Sequence, residues 1–563
     1  MTKRIIKKLA WFIAGLALIL FSSIFTSYAF PSEECLDGYG LWIFIAFIPT
    51  FIVINKSKQS VLWFYGLVYG YVFFTVYGTW LAAFHPMANY IVSILASLQY
   101  MLLFPAVKIA GKLVKKRGYI VQSLTLTLYY YLTLQGFLGF PYGTPAAALW
   151  NHTALIQSAS IFGIWGITVL ILLPQAMIAE MIVNKTFYKK DVLIYIIGFV
   201  MNLSIGYYTI GKYERTEADR TIRVAALQHS ADTWEGGYST YTKNFRKLRD
   251  MSLEALKENP DFIVWSETAF VPSVAWHKAY PTAAFKSNLC NEFVNFGKSL
   301  PVPLITGNPE SVIKDPTLPA ILEDGSWNEK TYNTVILFGD GEILGTYRKQ
   351  RLVPFTENFP YEEELPRLHA FLLSHNYNWW EKGEEPTVFE YDGIKFATPI
   401  CFEDTFGYLS AEFAQNGADV LINLSNDSWS GSIAAEMQHM QLALFRAIEN
   451  RIPLVRSTNS GITCHIDETG RVHGMLDPFT VDWTVYEVEL GKYDSLTFYT
   501  KHPDLLPKAI IALLIILLLI KARTECATLK YARMTKLALR EEKESRDNIN
   551  AEKPSTVESL SSI

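Results

Sequence analysis

The sequence is poor in charge and in cysteine. Only 18% of its 563 residues are Asp, Glu, Lys or Arg, and the net charge of -4 is nearly balanced. No basic surplus therefore points to a nucleic-acid partner. The five cysteines stand at positions 35, 290, 401, 464 and 526 without a Cys-x-x-Cys pair. Neither a zinc ribbon nor a thioredoxin motif is indicated, and the odd number leaves at least one thiol without a disulfide partner in the chain.

Apolar residues are abundant instead. They make up 50% of the chain, which is too much for an ordinary cytosolic protein. Crossing the hydrocarbon of a bilayer takes roughly 20 predominantly apolar residues. On that criterion we predict eight transmembrane helices, at residues 9–29, 39–55, 61–84, 88–110, 119–140, 158–183, 191–211 and 503–521. The first stretch is too long in its apolar core for a cleaved signal peptide, the alternative interpretation of a segment that follows MTKRIIKK.

Lys and Arg alternate between loops. They occur at the N-terminus and after the second, fourth and sixth predicted spans, whereas residues 30–38, 85–87 and 141–157 contain none. Basic loops face the cytoplasm, so this pattern predicts that both termini are cytoplasmic. The region that follows the seventh span then lies on the outer face, which in a bacterium is the periplasm or the cell exterior. A lipid-headgroup or nucleic-acid site is the alternative explanation of the basic clusters.

Four segments follow from this pattern. We expect a membrane domain of seven helices at 1–214, an outer domain at 215–500, a last transmembrane helix at 501–522 and a charged tail at 523–563, of which about the last 20 residues are disordered. Within the outer domain, RVAALQHS, DFIVWSET, PLITGNPE, NTVILFGD, GIKFATPIC, DVLINLSND and PLVRSTNSG are typical of strands, and TKNFRKLRDMSLEALKEN and EMQHMQLALFRAIEN of amphipathic helices. This alternation predicts a layered α/β fold. GDGEILGTYRK predicts a hairpin and hence a mixed sheet.

Three predicted strands end next to a reactive side chain. These are Glu267 in VWSETAF, Lys349 in GTYRKQRLVPFTENFP and Cys401 in ATPICFED. A carboxylate can take the proton of a thiol, and an ammonium can stabilise the oxyanion that forms when the thiolate attacks a carbonyl. Taken singly, each residue has a plainer explanation, as a core cysteine, a helix N-terminal carboxylate or a solvated lysine. Together they would suit acyl transfer.

The three motifs, in this order, closely resemble the Glu–Lys–Cys catalytic set of the nitrilase superfamily. SNDSWSG, QHMQLALFRAIENRIPLVRSTNSG and DETGRV are similar to the C-terminal half of the same superfamily. With seven preceding spans and one following, residues 9–521 resemble the apolipoprotein N-acyltransferase family. This resemblance implies an αββα sandwich in which Cys401 is the nucleophile, Glu267 the general base and Lys349 the oxyanion partner.

Further residues are assigned by the same resemblance. Glu357 and Glu403 match additional acidic positions of the family, and we expect them to hold Lys349 or a loop through an ion pair. Thr356 stands where the family usually has Gly, and Phe402 where it often has Tyr, which puts details of the pocket shape in doubt. No metal or cofactor is implied.

The resemblance also implies the substrates. The acyl donor would be a phospholipid such as phosphatidylethanolamine, and the acceptor would be the α-amino group of the N-terminal diacylglyceryl-cysteine of a lipoprotein. We expect a monomer in the inner membrane. The rivals are a membrane-anchored amidase that hydrolyses a small amide with the same triad, and a non-catalytic binder of lipoproteins.

Aromatic residues flank the predicted site. Trp276 follows Glu267, Trp379 follows Glu357, and Trp234 lies near the start of the outer domain. Because Trp favours membrane interfaces, we expect Trp276 and Trp379 to contact lipid on mobile lids, and we expect Trp234 to line the substrate pocket. The alternative is that the two lids cover the domain core. His439 has no ligand-spaced partner and is expected to be structural.

Overall fold

The structure is a computed structural model that describes residues 2–84, 86–281, 283–374, 379–493 and 495–551. In this part of the chain the helices are α1 (Thr2–Ser27), α2 (Ile48–Lys56), α3 (Gln59–Tyr77), α4 (Leu81–Phe84), α5 (Ala88–Gly111), α6 (Gly118–Leu132), α7 (Thr153–Ile156), α8 (Ala159–Asn184), α9 (Lys189–Arg215), α10 (Tyr238–Ala255), α11 (Val274–Ala279), α12 (Ala284–Ser299), α13 (Pro366–Leu373), α14 (Gly407–Gln415), α15 (Ile433–Asn450), α16 (Phe498–Lys501) and α17 (Leu505–Ala551).

The strands all lie between the seventh predicted span and the last one. They are β1 (Arg220–Gln228), β2 (Phe262–Val264), β3 (Leu304–Ile313), β4 (Glu329–Gly339), β5 (Glu342–Arg348), β6 (Val388–Tyr391), β7 (Ile394–Ala397), β8 (Val420–Ser425), β9 (Leu454–Thr458), β10 (Cys464–Ile466), β11 (Val472–His473) and β12 (Asp482–Leu490). All seven strands predicted from the sequence are present, whereas β6, β10, β11 and β12 were not predicted.

The protein is a multi-pass membrane protein, as predicted, but fewer helices qualify as spans than the eight expected. Among the described residues, six are long and apolar enough: Ile5–Ser27, Gln59–Tyr77, Ala88–Gly111, Ala159–Asn184, Lys189–Arg215 and Leu505–Arg546. The second predicted span is instead a 3-10 turn, Gly40–Phe44, followed by the short helix α2, with Pro49 in its first turn. The fifth corresponds to α6, which ends after 15 residues.

The last helix extends well past its apolar segment. Helix α17 is 47 residues long and continues through the charged segment that follows its apolar first half. The predicted tail is therefore helical as far as residue 551. The disorder predicted for about the last 20 residues concerns a segment of which 552–563 lie outside the described residues.

Two mixed six-stranded sheets form the outer domain, in the orders β12-β1-β2-β3-β4-β5 and β11-β10-β9-β8-β7-β6. In each, the central strands pair in parallel and the flanking strands antiparallel. The predicted hairpin is present between β4 and β5. Its turn residues Asp340 and Gly341 have φ values of 51° and 74°, the left-handed conformation of a tight hairpin turn.

The two sheets pack face to face. Phe262 of β2 and Phe396 of β7 meet between them, with ring centroids 5.4 Å apart. On the outer side of the first sheet, Phe245 of α10 and Phe293 of α12 pack in one apolar cluster with that sheet. Helices α14 and α15 cover the second sheet. The result is the predicted αββα sandwich.

Helix α15 is the predicted amphipathic helix, but neither of its faces meets water. Its residues are buried on every side, because one side packs on the second sheet and the other on the membrane domain. Trp80 Nε1 donates to Gln438 Oε1 at 2.8 Å, and the backbone N–H of Ile164 donates to Glu449 Oε1 at 2.9 Å. The polar face of α15 therefore packs against the membrane domain.

Candidate active site

Cys401 stands at a sharp turn at the end of the second sheet. It follows β7 and opens a 3-10 helix, Cys401–Thr405. Its φ of 51° lies in the left-handed region, which a residue with a side chain occupies only at a cost that the surrounding structure must offset. Such turns hold a reactive side chain clear of the strand, and only 8% of Cys401 is exposed.

Glu267 and Lys349 lie at the ends of two strands of the other sheet. Lys349 Nζ is 3.2 Å from Glu267 Oε1 and is fully buried. Two further donors fix the carboxylate: Asn333 Nδ2 at 2.7 Å from Oε1, and the backbone N–H of Asn426 at 2.9 Å from Oε2. Both oxygens of the expected base are thereby oriented, and Lys349 is pinned beside it.

Glu357 completes the surroundings of the lysine. Its Oε1 is 2.8 Å from Lys349 Nζ, and its Oε2 accepts from the backbone N–H of Val353 at 2.8 Å. The expected ion pair with Lys349 is present. Lys349 is thus a buried cation held between two carboxylates, which is the arrangement that a buried charge requires.

Burial and the neighbouring charges shift the pKa values of Glu267, Lys349 and Cys401. Burial raises the pKa of Glu267, opposed by the charge of Lys349 and reinforced by that of Glu357. Burial alone would lower the pKa of Lys349, but the two carboxylates outweigh it and raise the pKa well above its ordinary value. Burial, and next the charge of Glu267, raise the pKa of the Cys401 thiol. The resting thiol is therefore protonated beside a carboxylate that is a stronger base than usual.

Glu403 joins the loops that carry Lys349 and Cys401, and it does so through backbone hydrogen bonds. Its carboxylate accepts from the backbone N–H groups of Gln350 at 2.6 Å, Arg351 at 2.9 Å and Ile400 at 2.7 Å. The hydroxyl of Tyr347 donates to it as well. Burial raises the pKa of Glu403 to about 7.

Replacing Glu403 with Ala should destabilise the protein by several kcal/mol, because buried backbone donors that lose their acceptor cost about 1–3 kcal/mol each. Activity should fall too, since the replacement frees both loops. Glu412, exposed on the neighbouring helix α14, provides the matched control, and its replacement with Ala should stay within about 0.5 kcal/mol. Thermal unfolding in detergent measures both variants. Equal stability of the two would contradict this role of Glu403.

Phe402 faces the membrane domain. Its ring lies parallel to that of Tyr142, with centroids 6.5 Å apart, and it packs edge-on against Phe406. Tyr142 belongs to the uncharged loop at 141–157, which therefore lies against the residue next to Cys401. A second aromatic contact between the membrane domain and the outer domain joins Trp80 and Trp429, whose ring centroids are 5.7 Å apart.

The three tryptophans expected to bind substrate differ from one another. Trp276 is fully buried and stacks on Trp327 at 5.5 Å, so it covers the core, and the lid expectation is wrong for it. Trp234 is 69% exposed and follows Thr233, whose hydroxyl is 3.2 Å from Asn426 Oδ1. Trp379 packs near Phe359, while residues 375–378 of its loop lie outside the described residues.

His439 has more partners than sequence spacing indicated. Its Nδ1 is 3.1 Å from Asp427 Oδ1, and its Nε2 is 3.0 Å from Asp404 Oδ1. Arg456 contacts Asp404 as well. Sequence spacing could not reveal these contacts, because Asp404, Asp427 and His439 stand far apart along the chain.

The fold and the site define the class of the protein. An αββα sandwich with Glu, Lys and Cys between its two sheets is typical of the carbon-nitrogen hydrolase superfamily, and in this protein the sandwich packs on a membrane domain. The family model described as carbon-nitrogen hydrolase matches residues 223–497. A second, described as apolipoprotein N-acyltransferase N-terminal domain, matches residues 22–177.

Similar proteins of known family identify the family within this superfamily. Apolipoprotein N-acyltransferase 1 of Treponema denticola is 34% identical over 88% of this chain and 94% of that protein. The enzyme of the same name from Treponema pallidum is 33% identical over 84% and 89%. Apolipoprotein N-acyltransferase of Borreliella burgdorferi is 30% identical over 86% and 92%. The chain belongs to the apolipoprotein N-acyltransferase family.

Proposed function

We propose that this protein transfers a fatty acyl group from a membrane phospholipid, through a thioester on Cys401, to the α-amino group of the N-terminal diacylglyceryl-cysteine of a lipoprotein. The observation that carries the proposal is the burial of Glu267 and Lys349 beside Cys401 in a domain that is seated on membrane helices. Membership of the family supports the same reaction.

The first half-reaction makes the acyl-enzyme. Glu267 takes the proton of the Cys401 thiol as Sγ attacks the ester carbonyl of the phospholipid, and the carbonyl oxygen becomes an oxyanion near Lys349. Collapse of this intermediate breaks the ester C–O bond. Glu267 then returns the proton to the departing alcohol, which leaves as a lysophospholipid, with the acyl group held on Sγ as a thioester.

The second half-reaction uses the same groups. The free amine of the lipoprotein attacks the thioester carbonyl, and Glu267 takes a proton from the nitrogen. The C–S bond breaks, the Cys401 thiolate recovers a proton from Glu267, and the product is an amide. Neither step consumes a nucleotide or needs a metal ion. One base with a raised pKa can serve both steps because it starts and ends each step ionised.

The membrane location suits the proposed reaction because the phospholipid donor and the lipid-modified acceptor both reside in the membrane. The alternating basic loops support an outer-face position of the catalytic domain in the inner membrane, with both termini in the cytoplasm. Phosphatidylethanolamine is the proposed donor, and the monomer is the proposed active unit. Trp234 and Trp379 are the proposed lipid contacts, since Trp234 is largely exposed one residue from a side chain that reaches the site.

The alternative is a membrane-anchored amidase, in which water resolves the acyl-enzyme of the same triad, and it is not favoured, because the similar proteins are apolipoprotein N-acyltransferases over most of their length. The two functions separate in one assay. Purified enzyme is mixed with phosphatidylethanolamine, with or without a diacylglyceryl-cysteine peptide, and lysophospholipid is measured over time. Acyl transfer predicts one turnover without peptide and many with it. Multiple turnovers without peptide, or hydrolysis of small amides in place of lipid, would support the amidase.

A further inference from the structure

A second cluster of charged side chains lies behind the nucleophile, apart from Glu267 and Lys349. It consists of Asp404, Asp427, His439 and Arg456, all of which are at least nine-tenths buried. His439 bridges the two carboxylates, with Nδ1 3.1 Å from Asp427 and Nε2 3.0 Å from Asp404. Arg456 contacts Asp404 directly and has Nη2 3.6 Å from Asp427. The two carboxylates, the imidazole and the guanidinium thus form one connected network of ion pairs.

This set reaches the nucleophile through Asp427. Cys401 Sγ donates to Asp427 Oδ1 at 3.9 Å, a hydrogen-bond distance for sulfur, and the same oxygen faces His439. The other oxygen of Asp427 accepts from the hydroxyl of Ser425 at 3.1 Å. The contact arises from topology, because Cys401 and Asp427 follow the adjacent parallel strands β7 and β8.

The charge on each member can be assigned. Burial alone would lower the pKa of His439, but Asp427 and Asp404 outweigh it and raise the pKa to about 9. The imidazole is therefore a cation at neutral pH, and Asp427, whose pKa is lowered mainly by His439 against the effect of burial, is an anion. Glu436 also faces Asp427, and burial together with the charge of Asp427 raises its pKa well above the ordinary value.

We propose that Asp427 is a positioning residue for the nucleophile, which holds the Cys401 thiol as its hydrogen-bond acceptor, and that His439 sets how strongly the charge of Asp427 acts on the sulfur. The proposal rests on the proposed function of Cys401 as the nucleophile. In the resting enzyme the thiol is bonded to Asp427 and protonated. During catalysis the S–H turns away from Asp427, and Glu267, on the other sheet, takes the proton as the sulfur attacks the carbonyl.

Replacing Asp427 and replacing His439 should change the thiolate fraction of Cys401 in opposite directions. An anion close to a thiol disfavours the thiolate, so replacing Asp427 with Asn should increase the thiolate fraction. Replacing His439 with Gln removes the cation that compensates Asp427, so the thiolate fraction should decrease. A purely structural role predicts something else: loosening the packing would hydrate Cys401 and increase the thiolate fraction in both variants, because burial is the main cause of its raised pKa.

The test is the rate of alkylation of Cys401 by iodoacetamide in the full-length protein, purified in detergent and read by peptide mass spectrometry at mildly alkaline pH. The thiolate is the reactive form, so the rate constant reports its fraction. We expect a rise of about tenfold or more in D427N and a fall of about tenfold in H439Q, each corresponding to about one pKa unit or more. D404N provides the matched control, since Asp404 bonds the same imidazole without contacting Cys401, and its rise should be smaller than that of D427N.

A faster or unchanged alkylation rate in H439Q would overturn the proposal, as would equal rises in D427N and D404N. If D427N does not fold, H439Q decides alone, because only the proposal predicts a slower rate there. Alkylation needs no lipid, so these outcomes are independent of the acyl donor. Failure of the proposed function would appear instead as the absence of a fatty-acyl adduct on the wild-type enzyme.

Discussion

Replacing Glu267 with Gln should lower the rate of Cys401 acylation by about 10²–10⁴-fold, the usual contribution of a general base. Gln keeps the size of the side chain but cannot take a proton. It also cannot accept a hydrogen bond through both terminal atoms, as Glu267 does from Asn333 and the backbone of Asn426. Rapid-mixing measurement of the first lysophospholipid release reports this step alone.

Glu310 provides the control for this variant. It lies on β3 of the same sheet and forms an ion pair with Arg348 at 2.7 Å, outside the reactive set. Its replacement with Gln should leave acylation within a few-fold of wild type. Acylation by the Glu267→Gln variant at a comparable rate would exclude Glu267 as the base.

The raised pKa of Glu267 adds a pH dependence. The base acts only when it is ionised, so acylation should decline on acidification at a higher pH than an ordinary glutamate would give.

Replacing Lys349 with Met should affect both activity and stability. Loss of one oxyanion donor typically costs about 10²–10³-fold in rate. The replacement also leaves Glu267 and Glu357 close together without their cation, and breaking a buried ion pair in this way costs about 3–5 kcal/mol. Single-turnover acylation and thermal unfolding in detergent measure the two effects separately.

A double variant separates catalysis from folding. Adding Glu357→Gln to Lys349→Met removes one of the two uncompensated carboxylates, so part of the lost stability should return. Acylation should not return, since the oxyanion still lacks its partner. Recovery of both together would mean that Lys349 acts only through the fold.

The candidate residues Glu267, Lys349 and Cys401 could be singled out because each follows a strand in a recognisable motif. The structure places Lys349 against Glu267 and both within electrostatic reach of Cys401, while their catalytic roles stay predictions. The contacts of Asn333, Asn426 and Asp427 could not be predicted. The strand NTVILFGD and the motif SNDSWSG, which contain them, do not reveal which side chains approach Glu267 and Cys401 through space.

Three further outcomes concern strand β12, helix α15 and Trp276. Strand β12 was not predicted, although the alternation of apolar and polar residues along WTVYEVEL is the pattern of a half-buried strand at a sheet edge. The full burial of helix α15 could not be predicted, because amphipathicity alone does not distinguish a polar face that meets water from one that packs on a membrane domain. Trp276 was assigned to a lid because Trp is frequent at membrane interfaces, but here its ring stacks inside the domain.

The measurement that most directly tests the account is the intact mass of the purified protein after incubation with phosphatidylethanolamine, for wild type and for Cys401→Ala. The account predicts a fatty-acyl mass increment on the wild type only, which disappears when a diacylglyceryl-cysteine peptide is added and reappears on the peptide as an amide. An increment that persists in Cys401→Ala, or no increment on wild type while lipid is being consumed, would contradict a Cys401 thioester as the intermediate.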